Sequence, residues 1–130
     1  MPMSSDGVLQ AATTIAKTTQ TAVGSIINCQ GYQWLTVFFT YVKGDETGLT
    51  LVPSFMRTAT GTAHPLCSWS TTGGAKTITA DTFTLTASRN GYITFDVRGL
   101  DFFMITQGGT ANDGTPTGTL AASYTMKSYE

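Results

Sequence analysis

Gln33-Trp34-Leu35-Thr36-Val37-Phe38-Phe39-Thr40-Tyr41-Val42-Lys43 runs into the polar connection Gly44-Asp45-Glu46-Thr47-Gly48, and then into Leu49-Thr50-Leu51-Val52-Pro53-Ser54-Phe55. Two segments rich in β-branched and aromatic residues flank a short glycine-containing break, the pattern of a β-hairpin. Side chains alternate across a strand. Leu35, Val37, Phe39 and Tyr41 therefore share one face, and Trp34, Thr36, Phe38, Thr40 and Val42 the other. Both faces carry aromatics, so one face covers a core and the other has something else to cover.

The 130 residues suit one domain. Charged residues make up only 12%, while 26 residues, one in five, are Thr. Thr is stiff at χ1 and favours strands, and its hydroxyl tolerates water, so a neutral Thr-covered sheet surface replaces a Lys/Glu-covered one. Outward from the opening stretch, short strands recur at 24–30, 33–43, 48–56, 65–70, 76–80, 82–87, 91–98, 100–107 and 118–127. Period-two alternation is clear at Phe83/Leu85/Ala87, Ile93/Phe95/Val97 and Leu120/Ala122/Tyr124/Met126. Ser88-Arg89-Asn90-Gly91 reads as an Asn-Gly turn, and Thr71-Thr72-Gly73-Gly74 and residues 108–118 as loops. Pro53 inside a strand pattern indicates an edge or a bulge. The expected fold is all-β, a jelly-roll-like two-sheet antiparallel sandwich. Residues 1–20, small and polar with paired threonines, read as an extended N-terminal arm or edge strand, ahead of a sandwich domain over 21–130.

Several function classes fall away. Net charge is −1, and Lys17, Lys43, Arg57, Lys76, Arg89, Arg98 and Lys127 are scattered, so no basic face for nucleic acid is expected. No apolar run reaches the roughly 18 residues that span a bilayer, so no membrane partner is expected either. The opening Met1-Pro2-Met3-Ser4-Ser5-Asp6 has neither a basic nor an apolar signal region. The expectation is synthesis in a cytoplasm, and Cys29 and Cys67 are expected as buried free thiols rather than a disulfide.

Candidate chemistry is thin. His64 and Cys67 stand near one another, but no third group orients them. One His and two distant Cys make no zinc pattern. Asn112-Asp113-Gly114 is a fragment of a calcium loop without its other acids and reads as a turn. Asp45-Glu46 reads as a solvated hairpin tip. Arg98 and Asp101 are placed to pair across a bend. Neither a catalytic residue nor a cofactor or metal ligand is expected. Trp34, Trp69, Tyr32 and Tyr92 make a possible sugar-stacking platform, weighed against core or subunit contact.

From Gly31-Tyr32-Gln33-Trp34-Leu35 through Tyr41-Val42-Lys43-Gly44-Asp45-Glu46-Thr47 the chain resembles small structural proteins of tailed phages, in which such a strand, turn and second apolar strand recur. Tyr92-Ile93-Thr94-Phe95-Asp96-Val97-Arg98 and Thr117-Gly118-Thr119-Leu120-Ala121-Ala122-Ser123-Tyr124 extend the resemblance over most of residues 24–127. It implies a head decoration (cement) protein that sits as a homotrimer on a capsid, located in the virion, with sister copies and the major capsid protein or other virion subunits as partners. Val8, Leu9, Ile15, Trp34, Phe38, Trp69, Phe102 and Phe103 are the interface candidates, with ordinary core as the competing assignment. Only one of Phe102 and Phe103 can face the core. A neck or tail subunit, and a carbohydrate- or receptor-binding module, are the alternatives.

Overall fold

The computed structural model describes residues 3–17, 19–109 and 115–129. Twelve strands run in chain order: β1 (Met3–Thr14), β2 (Thr21–Ala22), β3 (Ile27–Asn28), β4 (Trp34–Val42), β5 (Leu49–Met56), β6 (His64–Pro65), β7 (Cys67–Thr72), β8 (Ala75–Ala80), β9 (Phe83–Leu85), β10 (Arg89–Asp96), β11 (Phe102–Gly109) and β12 (Thr119–Ser128). No described residue is helical. All pairs are antiparallel.

The first sheet has the order β1-β12-β4-β10. In the second, β11 and β5 are central; β2 and β3 flank β11, and β6 and β9 flank β5. If β2/β3 and β6/β9 each count as one interrupted strand, the two sheets hold eight strand positions in the jelly-roll order, every connection crossing between sheets except that from β5 to its neighbour β6/β9. The expected sandwich is therefore the observed one. The strand beside β5 is broken by an insertion, the separate hairpin β7–β8. Its neck is closed where Leu66 N–H donates to Pro53 O (3.1 Å) and Asp81 N–H to Leu66 O (2.6 Å). Pro53 sits at this break. Its carbonyl points to Leu66, and a strand residue's N and O point the same way, so its missing N–H faces the gap between β9 and β6.

The opening stretch does not form a hairpin. β4 lies between β12 and β10, whereas β5 lies in the other sheet against β11. Residues 44–48 cross from sheet to sheet, a separation of about 10 Å. Leu35, Val37 and Tyr41 of β4 thus face Leu49 and Leu51 of β5 through the core, where a hairpin would have set them side by side. Phe95 from the first sheet meets Phe103 from the second at 5.0 Å between ring centroids, and Phe103 meets Phe55 at 5.2 Å.

Asn90-Gly91 is also not a turn. Both residues lie in β10, opposite Thr40 and Phe39. A Cβ on Gly91 would come within 2.7 Å of the Phe39 ring, so the glycine makes room for an aromatic across the sheet. Of the loop expected at 71–74 only Gly73-Gly74 is turn: both have positive φ (58° and 85°) and close β7–β8 as a two-residue turn, while Thr71 and Thr72 belong to β7. Asn112-Asp113-Gly114 lies outside the described residues.

Of residues 1–20, expected as an extended arm or edge strand, Met3–Thr14 form β1, which pairs with β12 from Met3↔Ser128 to Thr14↔Thr119. Leu9 packs against the core and Ile15 lies within it. Ile15 N–H donates to Gly118 O (3.0 Å), and Ala16 N–H to the side chain of buried Gln107 (3.0 Å). Phe103 is fully buried and Phe102 is half-buried, which settles which of the two faces the core.

Replacing Phe103 with Ala should cost about 3–5 kcal/mol, the range for a large aromatic removed from a close-packed core. Phe102→Ala should cost about 1 kcal/mol, the ordinary value for a partly exposed site. Urea unfolding of the two variants checks the order, and equal losses would contradict the burial described.

Candidate functional site: an outer aromatic face and a buried carboxylate

The outer side of the first sheet is built by register. Val8, Ser123, Phe38 and Tyr92 stand opposite one another across β1, β12, β4 and β10. Two residues along, about 7 Å away, Asp6, Thr125, Thr36 and Thr94 form a second row. Ser4, Lys127, Trp34 and Asp96 form a third. Phe38 and Tyr92 are in ring contact at 5.9 Å. The Arg98 guanidinium lies 5.4 Å from the Trp34 ring centroid, and its Nε donates to Asp96 at 2.8 Å. That pair, not the expected Arg98–Asp101 pair, is the one ion pair among the described residues. Arg98 holds the exposed Asp96 carboxyl down to about 2. Asp101 instead accepts from Gln30 at 3.4 Å.

The aromatic rows rise on either side of the threonine row. A groove of about 490 Å³ is lined by Trp34, Thr36, Phe38, Tyr92, Thr94, Thr125, Lys127 and Tyr129. A neighbouring groove of about 540 Å³ shares Phe38, Thr125 and Lys127 and continues to Asp6. Thr36 and Thr94 hydroxyls are joined at 2.9 Å, and Thr125 donates to Asp6.

Of the proposed sugar platform, the fold brings together Trp34 and Tyr92 and separates the other two. Tyr32 is half-buried against the core, and Trp69 is on the inserted hairpin. Phe38 and Tyr129 take their places. Tyr129 was legible in principle, since it continues the parity of Ser123, Thr125 and Lys127 along β12. Among the interface candidates, Val8, Trp34, Phe38 and Trp69 are exposed, whereas Ile15 and Phe103 belong to the core and Leu9 packs on it.

The inserted hairpin is a second exposed feature. Every residue from 57 to 80 is exposed. Trp69 and Ile78 are opposite one another, 65% and 74% exposed, with Lys76 Nζ 4.1 Å from the indole centroid. A lone two-stranded ribbon is marginal in water, so this one gains from being covered. Cys67 stands at its base, exposed rather than buried as expected, while Cys29 is buried. Both are free thiols, and burial pushes Cys29 up to about 11.

Glu46 is the feature the sequence concealed. Asp45 is exposed, as a turn tip should be, but Glu46 is 1% exposed. Tyr41 Oη and Gly44 N–H (2.9 Å) donate to one carboxylate oxygen; Thr117 N–H (3.2 Å) and Gly118 N–H (2.9 Å) donate to the other. Burial by itself raises the carboxyl. The bonds from Tyr41, Gly44, its own N–H and Gly118 outweigh that and bring it from 4.5 to about 2. Perturbed carboxylates often mark active sites. This one is saturated by protein donors and lines none of the grooves on the aromatic face, so its chemistry is structural.

No family model and no curated protein matches the sequence. Solved structures share the fold. The SPBc2 prophage-derived protein YomS is 17% identical with a TM-score of 0.54, covering 98% of this chain and 96% of that one. A chain of Bacillus endospore appendages, described as disulfide-linked pili, is 14% identical with a TM-score of 0.56, covering 99% and 89%. A chain of the infectious bursal disease virus VP2 subviral particle is 8% identical with a TM-score of 0.51, covering 97% of this chain and 32% of that one. The all-β sandwich is thus a fold found in prophage and viral particle proteins.

Glu46 ionises more readily folded than unfolded. Its stabilisation is complete above pH 4.5 and is lost as pH falls through about 2. The loss should be about 3 kcal/mol in the wild type, and Glu46→Gln should show a shallower acid limb with lower stability at neutral pH. An unchanged acid limb in that variant would contradict the assignment. With iodoacetamide under native conditions only Cys67 should be alkylated, and after denaturation without reductant both thiols should be; mass spectrometry reads the difference.

Proposed function

We propose that this protein is a virion structural protein, a capsid decoration (cement) protein of a tailed phage that works by cohesion and not by catalysis. The observation that carries the reading is the jelly roll whose edge strand is interrupted by a hairpin every residue of which is exposed. Insertions at strand breaks are free to vary without disturbing the core, and contact residues concentrate there. Trp69, Ile78 and Leu66 supply the apolar surface that a neighbouring subunit would cover. At roughly 25 cal/mol per Å² each contact is modest, and many copies on one particle multiply its effect. The low net charge, −1 over 130 residues, leaves little repulsion between copies. The resemblance at residues 31–49 is to decoration proteins and supplies three as the number of self-associating copies; a neck or tail subunit is the alternative. The partners are then sister copies and the major capsid protein, and the location is the virion.

Mass spectrometry of gradient-purified particles from cells carrying the gene should find the protein in stoichiometric amount. Trp69→Ser with Ile78→Ser should leave circular dichroism unchanged and reduce particle occupancy by about tenfold, the equivalent of about 1.4 kcal/mol. Recovery of the wild-type protein only in the particle-free fraction would overturn the reading.

A further inference from the structure

We propose that the outer face of the first sheet is a binding groove for a neutral oligosaccharide. The inference stands on the groove itself and does not depend on the virion reading. Three features of the face select this class of ligand.

The first is the order of polarity. A protein–protein interface places apolar residues at its centre and polar ones at its rim. Here the arrangement is reversed. The central row is Asp6, Thr125, Thr36 and Thr94, and the aromatics Phe38, Tyr92, Trp34 and Tyr129 stand at its flanks. A sugar ring has the complementary form: C–H faces that lie on aromatic rings, and a rim of hydroxyls that both donate and accept. Tyr and Trp offer apolar bodies with polar tips.

The second is the hydrogen-bonding capacity of the floor. Thr36 and Thr94 share one hydrogen bond, which leaves one hydroxyl proton and further lone pairs for a ligand. Asp6 accepts from Thr125 and retains acceptor capacity on its carboxylate. This is a mixed donor and acceptor surface, as hydroxyl recognition requires.

The third is charge. Lys127 and Asp6 balance, and Arg98 is held by Asp96. An acidic glycan or a nucleic acid would need surplus cations that the groove lacks. The Arg98 guanidinium that Asp96 holds lies 5.4 Å from the Trp34 ring centroid, on the flank of the groove.

The test is calorimetric titration of the full chain with cellohexaose, maltohexaose and chitohexaose, with hexagalacturonate as the acidic comparison. At least one neutral hexamer should give saturable heat, with a Kd of roughly 10 µM to 1 mM. Trp34→Ala and Tyr92→Ala should weaken it about tenfold or more while retaining the wild-type circular dichroism, and Trp69→Ala on the hairpin should not change it. Thr36→Val, which removes only the floor hydroxyl, should weaken it as well. Absence of saturable heat from every neutral hexamer up to about 10 mM overturns the proposal, as does heat from hexagalacturonate alone. Sedimentation velocity supplies an independent check: self-association of the wild type that Tyr92→Ala abolishes would assign the face to a second copy and overturn it too.

Discussion

A single buried carboxylate fixes the corner on which the sandwich turns. Glu46 sits where the chain leaves β4 in the first sheet for β5 in the second, and it accepts from Tyr41 and Gly44 on that corner and from Thr117 and Gly118 at the entry to β12. Two chain segments 71 residues apart are thereby tied at one end of the molecule. The site leaves no room for variation: a Cβ on Gly118 would come within 2.1 Å of the Glu46 carboxylate, and one on Gly44 within 2.0 Å of the Thr117 hydroxyl. Removing the charge leaves buried donors without an acceptor, which is why such a group costs more to lose than a neutral hydrogen bond.

From that corner follows the division of the β4 residues. Leu35, Val37 and Tyr41 enter the core beneath β5 and β11, and Trp34, Phe38 and Val42 remain on the outside. On the outer side threonine, rather than lysine or glutamate, fills the spaces between aromatics. Its few charges are compensated locally, Arg98 by Asp96 and Lys127 near Asp6. The second exposed feature, the β7–β8 hairpin, grows from the other sheet where Pro53 interrupts pairing. The chain thus offers two surfaces of different chemistry: a hairpin that presents the apolar pair Trp69 and Ile78, and a broad groove with a hydroxyl floor.

The strands were legible from periodicity because a strand's two faces differ in solvent contact, and residues such as Phe95 and Leu120 declare that difference every second position. Strand limits matched closely at β4, β5, β10, β11 and β12. Partners were not legible. A five-residue polar link joins hairpin strands and crossing strands alike, and nothing within residues 33–55 records that β12 and β10 occupy the places beside β4. Asn90-Gly91 misled for a related reason: the glycine answers the bulk of Phe39 on a neighbouring strand, a contact 52 residues away that no local rule detects.

What the sequence determined by itself was class and surface character: an all-β chain, low in charge, with aromatics on both sides of its central strand. Alternation and composition are local quantities, and they survive any choice of partner. Tertiary structure decided which aromatics meet. Trp34 and Tyr92 share a groove, while Trp69 and Tyr32 do not, because register across four strands sets that neighbourhood. It also decided that Glu46 is interior and its neighbour Asp45 is not. Burial of a charge depends on donors supplied from far along the chain, here Thr117 and Gly118, and only the closed sandwich brings them within hydrogen-bonding distance.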